Sequence, residues 1–92
     1  MSKPLPPSNY NWTGDTLTFD LPSDATGVKL KYQKTGDANW IVILDSPNNA
    51  VTNCPLDSSM GPSGTVCGMT KTQGQGGGEW GDESCSVINN QN

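Results

Sequence analysis

Three cysteines, Cys54, Cys67 and Cys85, carry most of the reactivity in this 92-residue chain. Thiols can join as a disulfide, hold a metal or attack an electrophile, and their spacing and company decide among these. Cys67 and Cys85 lie symmetrically about Gly76. If the segments TVCGMTKTQ and ESCSVIN pair as a hairpin, the two thiols face each other on adjacent strands, where a disulfide contributes about 2 to 4 kcal/mol by restricting the unfolded chain. The other reading leaves all three reduced, as the small semi-buried hydrophobic residues of a cytosolic product. No Cys-x-x-Cys spacing and no His accompany them, so no metal site is expected.

Catalysis has little to stand on. Without His, a Ser or Cys nucleophile would depend on a carboxylate or Lys as its base. Asp82 and Glu83 are adjacent, so on a strand they point to opposite faces and cannot act as an acid/base pair. Asp15, Asp20, Asp24, Asp37, Asp45 and Asp57 stand among turn residues, where Asp bonds the local backbone. The expectation is a protein with no catalytic residues and no cofactor. The stretch QGQGGGEWG lacks the Lys-Ser/Thr and the helix start of a phosphate cradle. It reads as a recognition loop, with Gln75, Gly76, Gly77 and Gly78 allowing close approach and Trp80 as the anchor. The competing reading packs Trp80 on the protein's own surface. Tyr10, Trp12 and Trp40 offer either a stacking platform for sugar rings or, in a chain with 7% aromatic residues, core and strand-edge packing.

These residues must be positioned by strands. Gly (11) and Pro (7) interrupt the chain throughout, and no window longer than ten residues repeats apolar positions with a helical period. TLTFDL alternates Leu17, Phe19 and Leu21 against Thr16, Thr18 and Asp20. VKLKYQK alternates Val28, Leu30 and Tyr32 against Lys29, Lys31 and Gln33, a lysine-bearing face expected to stay wet. TGDAN supplies a turn, and WIVIL predicts a more fully buried strand that closes a hairpin. A short strand around Val51 to Cys54 stops at Pro55, and SSMGPSG is a turn. Six or seven short strands without a helix indicate an all-β fold, a single antiparallel sandwich or small barrel. Residues 1–9, containing KPLPP, read as an extended Pro-rich arm, 10–88 as the sandwich domain, and 89–92 as a flexible tail.

Several segments resemble a fibronectin type III domain. Phe19, Asp20, Leu21 and Pro22 follow that family's order of aromatic, acidic, spacer and Pro in its second strand, with Phe for the usual Trp. VKLKYQKTGDANW is similar to its third strand and following hairpin, and GQGGGEWGDESCSVI to its Gly-rich loop, Trp and polar strand. The resemblance spans Pro4 to Ile88. It implies a fibronectin type III or immunoglobulin-like β-sandwich. In one place the chain departs from the pattern: MGPSGTVC has an extra residue and puts Cys67 where the family carries a Tyr whose hydroxyl bonds back across a loop.

Composition excludes some partners. Five Lys face nine Asp and Glu, for a formal charge of −4, and the lysines are scattered along the sequence, the wrong balance for gripping nucleic acid. No apolar run is long enough to span a membrane. MSKPLPPSNYN has no apolar core of a signal peptide, so a virion or host cytoplasm is the expected location, with an extracellular one as the alternative. Two functions follow. The first is an accessory or decoration subunit of a phage or virus particle, bound to capsid or tail subunits through Pro4, Pro6, Pro7 and the Gln75–Trp80 loop. The second is a glycan- or protein-binding module of a secreted enzyme or adhesin, with a Cys67–Cys85 disulfide and a glycan on Asn11 of the NWT sequence.

Overall fold

The computed structural model describes residues 4–72 and 79–91. Among them run seven strands: β1 (Ser8–Thr13), β2 (Thr16–Asp20), β3 (Gly27–Lys34), β4 (Ile41–Ser46), β5 (Asn53–Pro55), β6 (Ser63–Lys71) and β7 (Ser84–Asn89), with one 3-10 turn at Ser58–Met60. They form two antiparallel sheets, ordered β1-β2-β5 and β4-β3-β6-β7. The architecture is therefore all-β and sandwich-like, as the alternating segments imply.

Alternation decides which side chains meet between the sheets. Leu17 and Phe19 of β2 turn inward while Thr16, Thr18 and Asp20 stay exposed. On β3, Val28, Leu30 and Tyr32 are all fully buried, and Val66 on β6 stands directly opposite Tyr32. Trp12, Cys54, Leu56 and Ile88 complete the cluster. Trp12 meets the Tyr32 ring edge-on at 5.8 Å and donates its indole N–H to the Leu56 carbonyl at 2.6 Å. Burial of so large a residue thus leaves no polar group unpaired. The solvent-accessible surface is 5147 Å², against roughly 14,000 Å² for the extended chain. Folding thus removes roughly 60% of that surface from water.

Three sequence expectations are corrected. WIVIL is not a fully buried strand: β4 lies at the edge of the four-stranded sheet, where Ile41 is 46% and Val42 63% exposed. Val42 points to the outer face, away from the core, while Ile43 and Leu44 of the same strand are half-buried against it. The sequence reading also missed β1, whose SNYNWT composition alternates poorly. Asn9 there adopts φ 54° and the register with β2 shifts between Ser8 and Asn11, a bulge that breaks the period. Finally, β1 begins at Ser8, inside the stretch 1–9 read as an extended Pro-rich arm, and residues 4–7 lie against the chain's own sheet. Thr70 donates to the Leu5 carbonyl at 2.7 Å and Ser84 to the Pro7 carbonyl at 2.8 Å, with Pro4 and Pro7 buried.

The departure in MGPSGTVC has a structural answer. A hydroxyl still bonds across the turn, but it belongs to Tyr32 on β3, which donates to the Met60 carbonyl. Gly64 makes this possible, because any Cβ there would collide with the Tyr32 ring and hydroxyl. Tyr32→Phe should therefore lose about 1 kcal/mol and lower Tm by about 4–8 °C. Gly64→Ala should lose more, since the ring itself must move. Thermal unfolding followed by circular dichroism checks both, and an unchanged Tm in Gly64→Ala would remove this account of the turn.

Candidate functional site

The side of the four-stranded sheet that faces away from the core is not a plain wet surface. The register opposes Lys29 to Met69 and Lys31 to Cys67 across β3 and β6, then Cys67 to Cys85 and Thr65 to Val87 across β6 and β7. All of these lie on the outer face, because Leu30 and Tyr32 occupy the inner one. Trp80 bridges to Lys71 and lies on the same face. The Lys29 and Lys71 ammonium groups sit 4.6 Å and 5.4 Å from its ring centroid, and the Lys31 ammonium is 4.8 Å from that of Trp40. Such cation–π contacts contribute roughly 0.5–1 kcal/mol each when exposed. Lys31 also pairs with Glu83 at 3.5 Å. Lysines far apart in sequence are thus gathered among tryptophans.

Between these groups lies an apolar hollow of about 80 Å³, bounded by Val42, Cys67, Met69, the stems of Lys29 and Lys31, and Glu83. On the same outer face Trp40 is 42% and Val87 71% exposed. A second and wider hollow, about 630 Å³, opens over the three-stranded sheet and is lined by Asn9, Thr18, Asp20, Thr52 and Asn53 with Phe19 and Leu21. Its polar groups partly satisfy one another, as Asn9 donates to Asp20 at 2.7 Å.

Cys67 and Cys85 are directly paired across β6 and β7 and joined as a disulfide, the first of the two sequence readings. Cys54 is free and buried. Burial pushes its thiol up to about 11. Cys67, Cys85 and Glu83 have potential ligand atoms within 4.8 Å of one another. With the two sulfurs bonded, neither is a thiolate, the form that attacks electrophiles or ligates metals. Burial likewise raises Tyr10 and Tyr32, with the negative charge of Glu83 and of Asp37 acting in the same direction. Ser84 opposes the shift at Tyr10 by bonding its hydroxyl. Asp57 behaves as the turn reading expected: it accepts from the Ser59 hydroxyl and backbone amide, which hold its carboxyl below the ordinary value.

The expected site residues are dispersed. Trp80 lies half-buried on the outer face, so it packs on the sheet while keeping part of its ring exposed. Gln75, Gly76, Gly77 and Gly78 fall outside the described residues. Pro4 and Pro7 are buried against the chain itself, beside a half-buried Pro6 and an exposed Leu5. Tyr10, Trp12 and Trp40 form no platform, because Trp12 belongs to the core and only Trp40 is exposed. Sequence reasoning did not single out Met69, Val42 or Val87. For Met69 and Val87 the signal was an apolar residue on the polar side of an alternating strand, whereas Val42 was hidden in the continuous apolar run WIVIL. No family profile matches the chain, and neither curated protein sequences nor solved structures yield a match.

The cysteine chemistry gives two expected results. Thiol titration in denaturant should find one reactive group without reductant and three after reduction; three from the outset would mean the disulfide is not formed. The Cys54 thiol is neutral when protonated, so burial favours the protonated form, and its contribution to stability is complete below pH 9 and lost as pH rises through 11. Denaturation midpoints should fall across that window, whereas in Cys54→Ala the fall should begin only above pH 10, where the tyrosines ionise.

Proposed function

We propose that this chain is a non-enzymatic recognition module of fibronectin type III or immunoglobulin-like type. It is held in a larger assembly by protein–protein contacts through the outer face of its four-stranded sheet. The observation that carries this reading is the cluster of Trp80, Trp40, Met69 and Val42 around the apolar hollow, with lysine ammonium groups against both rings. Exposed Trp is the residue type that most often dominates binding energy. Rings already oriented by lysines lose less freedom when a partner covers them. Seven strands in two antiparallel sheets within about 100 residues support the sandwich type that the sequence resembles.

The assembly proposed is a phage or virus particle whose capsid or tail this subunit decorates or joins. A specific observation favours a second reading, a glycan- or protein-binding module of a secreted enzyme or adhesin. The Cys67–Cys85 disulfide suits an oxidising compartment, and Asn11 of the NWT sequence is exposed on β1.

Native mass spectrometry of the protein from its source, with and without reductant, separates the two. Recovery in fixed stoichiometry with another protein, lost by at least about 30-fold in affinity in Trp80→Ala, is the expected outcome. A lone chain with a glycan on Asn11, retained on a glycan array, would replace the assembly reading with the second one.

A further inference from the structure

Among the described residues, β4 and β7 are the edges of the four-stranded sheet and β1 and β5 those of the three-stranded one. β7 is held at both ends: Ser84 donates to the Pro7 carbonyl, and just past its last residue Trp12 and Asn90 form a parallel bridge and the Gln91 amide donates to the Trp12 carbonyl at 2.8 Å. β5 is only three residues long and ends in Pro55. β4 is six residues long and contains neither Pro nor Lys, the residues that ordinarily protect an edge. It is also apolar where it meets solvent, at Ile41 and Val42.

The side chains of β4 are arranged to match themselves. Ile41 pairs with Tyr32 and Leu44 with Leu30, so both point to the inner face. Val42 pairs with Lys31 and Asp45 with Lys29, so both point outward. Ile43 is the extra residue of a bulge, which is why residues three apart share a face. In an antiparallel pairing of two β4 strands about a two-fold axis between Val42 and Ile43, Ile41 of one copy lies opposite Leu44 of the other on the inner face. Trp40 lies opposite Asp45 of the other copy on the outer face. The Lys31 ammonium already stands over Trp40. Each Asp45 carboxylate, exposed in the single chain, then meets a cation from the second copy, and the two-fold repeats both contacts. A slip of one residue would turn Asp45 against Ile41, so the charge also fixes the register.

We propose that two copies of this chain associate through β4, joining their four-stranded sheets into one continuous antiparallel sheet. This association does not depend on what covers the Trp80 end of the outer face.

Sedimentation of the full chain over a wide concentration range is the test. The expected result is a reversible monomer–dimer equilibrium. Val42→Lys, an exposed outward position, should raise the dimer dissociation constant at least roughly 100-fold with Tm little changed. Trp80→Ala should leave the equilibrium as it is. Mixing Trp40→Cys with Asp45→Cys under oxidation should give a disulfide-linked dimer that neither variant gives alone. A wild-type chain that stays monomeric up to about 1 mM, where even weak pairing would register, overturns the proposal and leaves the edge to a strand from another protein. A dimer indifferent to Val42→Lys, or cross-linking as strong in either variant alone as in the mixture, overturns it equally.

Discussion

A sheet of four strands packs on a sheet of three, and the two share one small core. β3 and β6 lie at the middle of the wider sheet, so their inward residues, Val28, Leu30, Tyr32 and Val66, are fully buried. β4 is the edge strand of that sheet, with Ile43 and Leu44 half-buried on the core. Its other aliphatic side chains, Ile41 and Val42, stay exposed at the flank, where no further strand pairs with β4 among the described residues. In a chain whose residues are 32% hydrophobic, the edge position of β4 decides which apolar surface stays exposed.

The core depends on close approach as much as on hydrophobic area. Tyr32 reaches across the sandwich to meet Trp12 and ties down the turn after the 3-10 segment, while Gly64 clears its path. Gly68 plays the same part for Leu30, where a Cβ would strike its side chain and the Tyr10 hydroxyl. On the far side of the same strands, the disulfide joins β6 to β7 at Cys67 and Cys85. Closing a loop over a sequence separation of 18 contributes about 3 kcal/mol. That is a large fraction of the stability of a domain this size.

The outer face takes its chemistry from the same strands. Strand pairing sets Lys29, Lys31 and Lys71 around two tryptophans in a chain that is acidic as a whole. The ammonium groups hold the rings against the sheet and keep the surface hydrated, so an aromatic patch persists without covering itself in a core. Polar residues, Asn, Thr and Asp, line the hollow on the opposite sheet instead. The molecule therefore has two chemically distinct faces, and large anchoring side chains are concentrated on one of them.

Much of the fold was legible from local pattern. Period-two alternation identified β2 and β3 and the sides on which Leu17, Phe19, Val28, Leu30 and Tyr32 are buried, and the symmetry of Cys67 and Cys85 about Gly76 offered their pairing as one of two readings. These are properties of a single strand or hairpin, carried by side-chain direction alone. What the sequence could not convey depends on which strands become neighbours. The buried or exposed fate of WIVIL turns on whether another strand lies beyond it, and the gathering of Lys71 with Lys29 about Trp80 on the β3–β6 register. The docking of Pro4 and Pro7 turns on partners more than sixty residues away. Such long-range pairings follow from closing a shared core, and only the tertiary structure decides them.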